Sequence, residues 1–158
     1  MLVEIARRLD AWVVLRNLEA RAERMLALPP CTIHLLGQRA LLEVGVLLTL
    51  AVTNDVDVRA DYASAIEAEL RRLLQIAGKE LDPHGDEVWM PKETTYRVLL
   101  TGEFVTLKVA DVDAILVSKA LKAPNKNRTL IVEYLARGAT PRFLRLARKY
   151  HVKLETFV

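Results

Sequence analysis

The sequence predicts a single α/β domain of the mixed α+β kind, on three observations. Apolar residues recur at helical spacing in at least four segments. Between those segments lie short β-branched runs that read as strands. No repeat, low-complexity tract or long linker divides the 158 residues, a length that buries most of its apolar surface in one core. The expected layout is an N-terminal helix over residues 1–28, a mixed sheet core over 32–109 and C-terminal helices over 111–150.

Leu2, Ile5, Leu9, Trp12, Leu18, Ala22 and Met25 form the stripe of a first helix, which Pro29 and Pro30 stop. "CTIHLLG" reads as a buried strand closed by Gly37, and "QRALLEVGVLL" as a helix weakened by Gly45. "TLAVTNDVDVRAD" reads as a second strand, from its β-branched Val52, Thr53, Val56 and Val58. Asp61 is placed to cap a helix with the stripe Tyr62, Ile66, Leu70, Leu73, Leu74 and Ala77, ended by Gly78. "LDPHGDE" is a loop. "VWMPKETTYRVLLTGEFVTLKV" alternates as strands joined by a hairpin turn at Thr101, Gly102 and Glu103. Asp111 caps the helix "VDAILVSKALKA", "PNKN" interrupts, and "RTLIVEYLAR" follows; Thr140 and Pro141 open a last helix as N-cap and first helical residue. "VKLETFV" is expected to add a strand.

Composition sets bounds. Hydrophobic residues make up 52% and charged ones 27%, ordinary values for a folded domain. A formal charge of +3 permits phosphate contact without requiring it. Basic residues gather in Arg137, Arg142, Arg145, Arg148, Lys149 and Lys153, which suit either a solvated helix face or a phosphate-facing surface. Nucleic acid binding through that surface is therefore left open. One cysteine, Cys31, excludes an internal disulfide and fits a reducing, cytoplasmic setting. The N-terminus lacks the uninterrupted apolar region of a signal peptide, and the longest apolar run is broken by Glu43, so no membrane partner is expected.

The residues with chemical potential are Asp55 and Asp57. In an extended chain alternate side chains share a face, so the two carboxylates point the same way and repel. Open water or a bound cation must offset that repulsion. A strand ending at Gly37, with a helix starting at once, brings backbone N–H groups to the same place, suited to a phosphate. Lys119 falls on the apolar stripe of its helix with Val112, Ile115 and Leu116, so its stem runs inward. His34 reads as a core or edge histidine, and His84 and His151 as loop residues. Trp12 and Trp89 read as core fillers rather than stacking platforms, and Asp113 as an acid favoured by the helix dipole.

"IHLLGQRALLEVGVLLTLAVTNDVDV" resembles the opening of the nucleotidyltransferase fold of the DNA polymerase beta superfamily, closest to small bacterial minimal nucleotidyltransferases and abortive-infection toxin–antitoxin proteins. Those proteins carry Gly-Gly or Gly-Ser at a helix start and then Thr-x-Asp-hydrophobic-Asp, matched here by Gly37 and by Thr53, Asp55, Val56 and Asp57. "VTLKVADVDAILVSKALKAPNKNR" is similar to their later segment, with Lys119 as its inward lysine.

The resemblance implies a nucleoside triphosphate held at Gly37, Gln38 and Thr53, Mg²⁺ (or Mn²⁺) on Asp55 and Asp57, and nucleotidyl transfer assisted by Asp55, Asp57 and Lys119. It also implies an alternative, a catalytically inactive binding protein that acts through a protein partner as antitoxin members do. Two departures favour that alternative. Gln38 stands where the family has a second small residue, and no third carboxylate lies in "TYRVLL" or "FVTLKV", which leaves Glu87 or Glu93 as substitutes.

Overall fold

The computed structural model describes residues 1–158 as an α+β fold of six α-helices and one mixed five-stranded sheet. In chain order the elements are α1 (Leu2–Ala22), β1 (Cys31–Leu36), α2 (Gly37–Val44), β2 (Asp55–Ala60), α3 (Ser64–Ile76), β3 (Glu80–Leu81), β4 (Tyr96–Thr101), β5 (Val105–Ala110), α4 (Val112–Lys122), α5 (Arg128–Ala136) and α6 (Pro141–Lys149). The sheet order is β3-β2-β1-β5-β4. Central β1 runs antiparallel to β2 and parallel to β5; β5 pairs antiparallel with β4, and β2 parallel with β3.

Alternation along the strands sets the layers. Cys31, Ile33 and Leu35 of β1, Val56 and Val58 of β2, and Val105, Leu107 and Val109 of β5 are buried. They join Leu9 and Val13 of α1 and Ile66 and Leu74 of α3 in one continuous core that also takes in Ile115, Ile131 and Phe143 from the C-terminal helices. No helix is long and apolar enough to cross a membrane.

Asp10 locks α1 onto the sheet. Its carboxylate accepts from the backbone N–H groups of Phe104 (2.8 Å), Val105 (2.9 Å) and Glu103 (3.2 Å), which would otherwise be unpaired at the β4–β5 turn. Hydrogen bonds to a charged group are each worth about 1.5–3 kcal/mol, less where water competes. Asp10→Ala is expected to lower stability by about 2–3 kcal/mol in urea denaturation, with Asp10→Asn intermediate; a change below about 0.5 kcal/mol would show that the clamp does not hold the turn.

Six sequence expectations need correction. The helix expected over 38–48 ends at Val44, because Gly45 takes a left-handed φ of +69° and closes it. The strand with the carboxylates begins at Asp55; 49–54 is irregular and Val52 is 87% exposed, because Gly45 ends α2 and the next residues run over the surface to reach β2. The first helix stops at Ala22, and Leu18 and Met25 are exposed, since α1 packs on α3 and the sheet only through its first half. Asp61 caps nothing: α3 starts after Ala63 without a side-chain cap. Residues 88–95, expected as strand, turn at Pro91, whose carbonyl accepts from Thr94 N–H. The C-terminus forms a 3-10 turn, Leu154–Phe157, rather than a strand. The caps at Asp111 and Thr140 are present, accepting from Ala114 N–H and Phe143 N–H at 3.0 Å each.

Candidate functional site

The site grows from the end of β1. Leu36 pairs with Asp57 across the antiparallel ladder, so the first residue of α2, Gly37, lies directly against the Asp57 side chain. Gly37 has a φ of +65°, and a Cβ there would sit 2.4 Å from Asp57 Oδ2. Only glycine meets both demands. Val56 and Val58 go to the core, which sends Asp55 and Asp57 to the opposite face together. Thr53 sets where this strand starts, its hydroxyl accepting from Asp55 N–H at 3.2 Å.

A third carboxylate comes from Asp82. It follows β3, and its N–H donates to Val56 O at 2.9 Å, extending the pairing with β2 by one residue. The next turn folds back tightly, with His84 N–H donating to Asp82 Oδ1 at 2.8 Å. Gly85 then packs on β2, where a Cβ would come within 2.9 Å of Val58 N. This brings Asp82 over Asp57, close enough for one proton to be hydrogen-bonded between the two carboxyls. Burial first, then that bond and the Asp82 charge, push Asp57 up to about 6 against the opposing pull of Lys119.

Lys119 projects from α4 into the same space, as its place on the apolar stripe predicts. Burial, and secondarily Lys126, lower its pKa, while Asp57 opposes the shift. Lys122 and Lys126 line the site with it. The ion pairs of the chain all lie elsewhere, so these three ammonium groups face the cavity without a carboxylate bound to them.

The cavity has two lobes that meet at Asp57, Lys119, Lys126 and Asn127. The first, about 470 Å³, is walled by Gly37, Glu87, Trp89, Met90, Ser118 and Lys122. The second, about 530 Å³, holds Asp55, Asp82, Gln38, Thr53 and Thr129 under the loop 49–53. Both are large enough for part of a nucleotide. Gln38 donates from Nε2 to Ala51 O at 3.0 Å, and Glu133 of α5 accepts from Thr49 N–H at 3.1 Å, so this loop is tied down at two points. Gln38 thus points into the second lobe and leaves the first lobe clear.

No three His, Cys, Asp or Glu side chains are grouped so that they could hold a metal ion together. Asp55, Asp57 and Asp82 supply hard oxygen donors to the second lobe.

The structure therefore brings Gly37, Gln38, Thr53, Asp55, Asp57 and Lys119 to one cavity. Of the two substitute acids, Glu87 lines the first lobe and lies 3.3 Å from His84 Nδ1. Glu93 is engaged elsewhere: hydrogen bonds from Lys149 and Tyr150 hold it down to about 2. The C-terminal basic residues are partly spent in the same way. Arg142 pairs with Asp111 and donates to Glu93 O at 2.9 Å. Asp113 does more than favour a helix dipole, accepting from the Thr140 hydroxyl at 2.9 Å and so tying α4 to α6.

Sequence reasoning missed Asp82, Trp89, Lys122 and Lys126. "LDPHGDE" did carry one signal, an acid before Pro-x-Gly, but that pattern describes any tight turn. No family model matches the chain, and no curated protein or solved structure matches it either.

Proposed function

We propose that the protein binds a nucleoside triphosphate with Mg²⁺ and transfers its nucleotidyl group to a hydroxyl, on a nucleotidyltransferase fold. The observation that supports this best is that Asp55, Asp57 and Asp82 line the same cavity as Gly37 at a helix start and as three lysines outside any ion pair. Carboxylates alone suit a cation and lysines alone an anion. Their confrontation across one cavity suits a metal–polyphosphate pair.

In that reaction an acceptor oxygen attacks the α-phosphorus, the bond to the β-phosphate breaks, and pyrophosphate leaves with the electron pair. Asp55 and Asp57 would hold the divalent cation, whose chemistry would be neutralisation of charge on the phosphate oxygens. Asp82 takes the hydroxyl proton, a role that fits its position beside the crowded Asp57. Lys119 and Lys126 hold the phosphates that depart.

A second reading is a catalytically inactive protein that works through a protein partner. It is favoured by the apolar end of α1 and the residues beyond it, where Leu15, Leu18, Met25 and Leu26 are all more than half exposed.

Isothermal titration with ATP, GTP, CTP and UTP, in Mg²⁺ and then in EDTA, separates the two. The expected result is binding of at least one nucleotide in Mg²⁺ that weakens at least tenfold in EDTA and is lost in Lys119→Ala. Transfer of radiolabelled nucleotide to a hydroxyl of the protein or of added RNA then establishes the enzyme. Absence of nucleotide binding would leave the partner-binding reading.

A further inference from the structure

We propose that the first lobe is the nucleobase subsite, with the base stacked on Trp89, the α-phosphate at Asp57 where the two lobes meet, and the β- and γ-phosphates on Lys119 and Lys126. This rests on the nucleotide-binding reading and adds a direction to it: which lobe takes the nucleotide and which takes the acceptor.

The two lobes differ in chemistry. The second contains Asp55 and Asp82 beside the shared Asp57, has no aromatic wall, and is overhung by Gln38 and Thr53. An incoming triphosphate would there meet three carboxylates at once, whereas a neutral hydroxyl would meet its proton acceptor. The first lobe carries the additional lysine, Lys122, together with an apolar wall of Trp89, Met90 and Ile115. A polyanion with a flat aromatic end matches that lobe at both of its ends.

Trp89 is also held ready. The Ser118 hydroxyl donates to its backbone carbonyl, and the indole packs edge-on against Tyr150 with ring centroids 5.1 Å apart. Tyr150 is fixed in turn by its bond to Glu93. The ammonium of Lys122 lies 5.3 Å from the indole centre. A cation so placed covers a π-face that a base can take over, and displaced by the base it would be within reach of a phosphate. Trp89 would thus be a binding residue and Lys122 its gate.

Intrinsic fluorescence reads this directly, because the chain has only one other tryptophan, Trp12 of α1, outside the cavity. In a Trp12→Phe background, ATP, GTP, CTP and UTP with Mg²⁺ are titrated while Trp89 emission is followed, with inorganic triphosphate as the baseless probe. The expected result is that nucleotide quenches Trp89 and inorganic triphosphate binds, by calorimetry, with little change in emission. Trp89→Ala should weaken nucleotide binding by about 5- to 150-fold, the range for losing one stacked base, and leave inorganic triphosphate unaffected; Trp89→Phe should recover most of the loss. Nucleotide binding in calorimetry without a change in Trp89 emission would overturn the base subsite alone. An equal loss of nucleotide and inorganic triphosphate in both Trp89 variants would overturn it too, by showing a structural role. Failure of both ligands to bind the unmodified chain would overturn the nucleotide reading and the subsite together.

Discussion

Gly37→Ala is expected to destabilise the protein by about 2–3 kcal/mol and to abolish metal-dependent nucleotide binding. Two effects add. A φ of +65° costs an ordinary residue roughly 1–2 kcal/mol. The new Cβ would meet Asp57 Oδ2 at 2.4 Å and Cγ at 3.3 Å, so the short side chain must swing away or β2 must shift, for about another 1 kcal/mol. The second effect would remove the proposed nucleotide binding even where the fold survives, because the displaced carboxylate stands where the two lobes meet.

Gly45 supplies the control: its φ is +69°, but nothing lies within 4 Å of a Cβ there, so Gly45→Ala should cost only the backbone part. In an Asp57→Ala background the cost of Gly37→Ala should likewise fall to about 1–2 kcal/mol. Chemical denaturation of these variants checks the cycle. Equal costs at Gly37 and Gly45 would mean that contact with Asp57 contributes nothing.

The second large effect concerns pH. Asp57 is raised from 3.8 to about 6 in the folded protein, so the folded chain holds a proton that the unfolded chain gives up more readily. Stability of the metal-free protein is therefore highest below pH 4 as far as this group is concerned, and falls as the pH rises from about 4 to about 6. The full shift would correspond to about 3 kcal/mol. Asp57 is only partly buried, so solvent screening reduces the expected loss to about 1–2 kcal/mol. Above pH 6 the loss is complete, and Asp57→Asn should be more stable than the unmodified chain there. Millimolar Mg²⁺ should reverse the loss at pH 7 in the unmodified chain and not in Asp57→Asn. Melting temperatures across pH 4–8, with and without Mg²⁺, test all of this; a flat profile would show that the folded protein does not raise Asp57.

Local rules explain what was legible. The period of two along "DVDVR" put Asp55 and Asp57 on one face, and the apolar stripe of α4 turned Lys119 inward. Caps at Asp111 and Thr140 were readable because each is decided within four residues. Asp82 was not, because its place depends on a two-residue strand whose pairing with β2 leaves no periodic trace. Val52 misled for the opposite reason: β-branched residues suit a strand, but here tertiary connection decides, and the segment is spent on crossing from α2 to β2. Trp89 was read as core by frequency. Its half-buried place beside Lys122 follows from a non-local packing on Tyr150, invisible to any window of sequence.

The sheet order has a consequence for how the chain matures. Strand β1 lies at the centre, yet its parallel partner β5 is separated from it by α2, β2, α3, β3 and β4, so one side of the central strand waits for most of the chain to be made. The carboxylate wall, from Gly37 to Asp82, belongs to the half that emerges first from the ribosome; the lysines belong to α4 and the loop after it, made later. The acidic and the basic walls of the cavity are thus delivered at different times, and the two face each other only once α4 docks against α2.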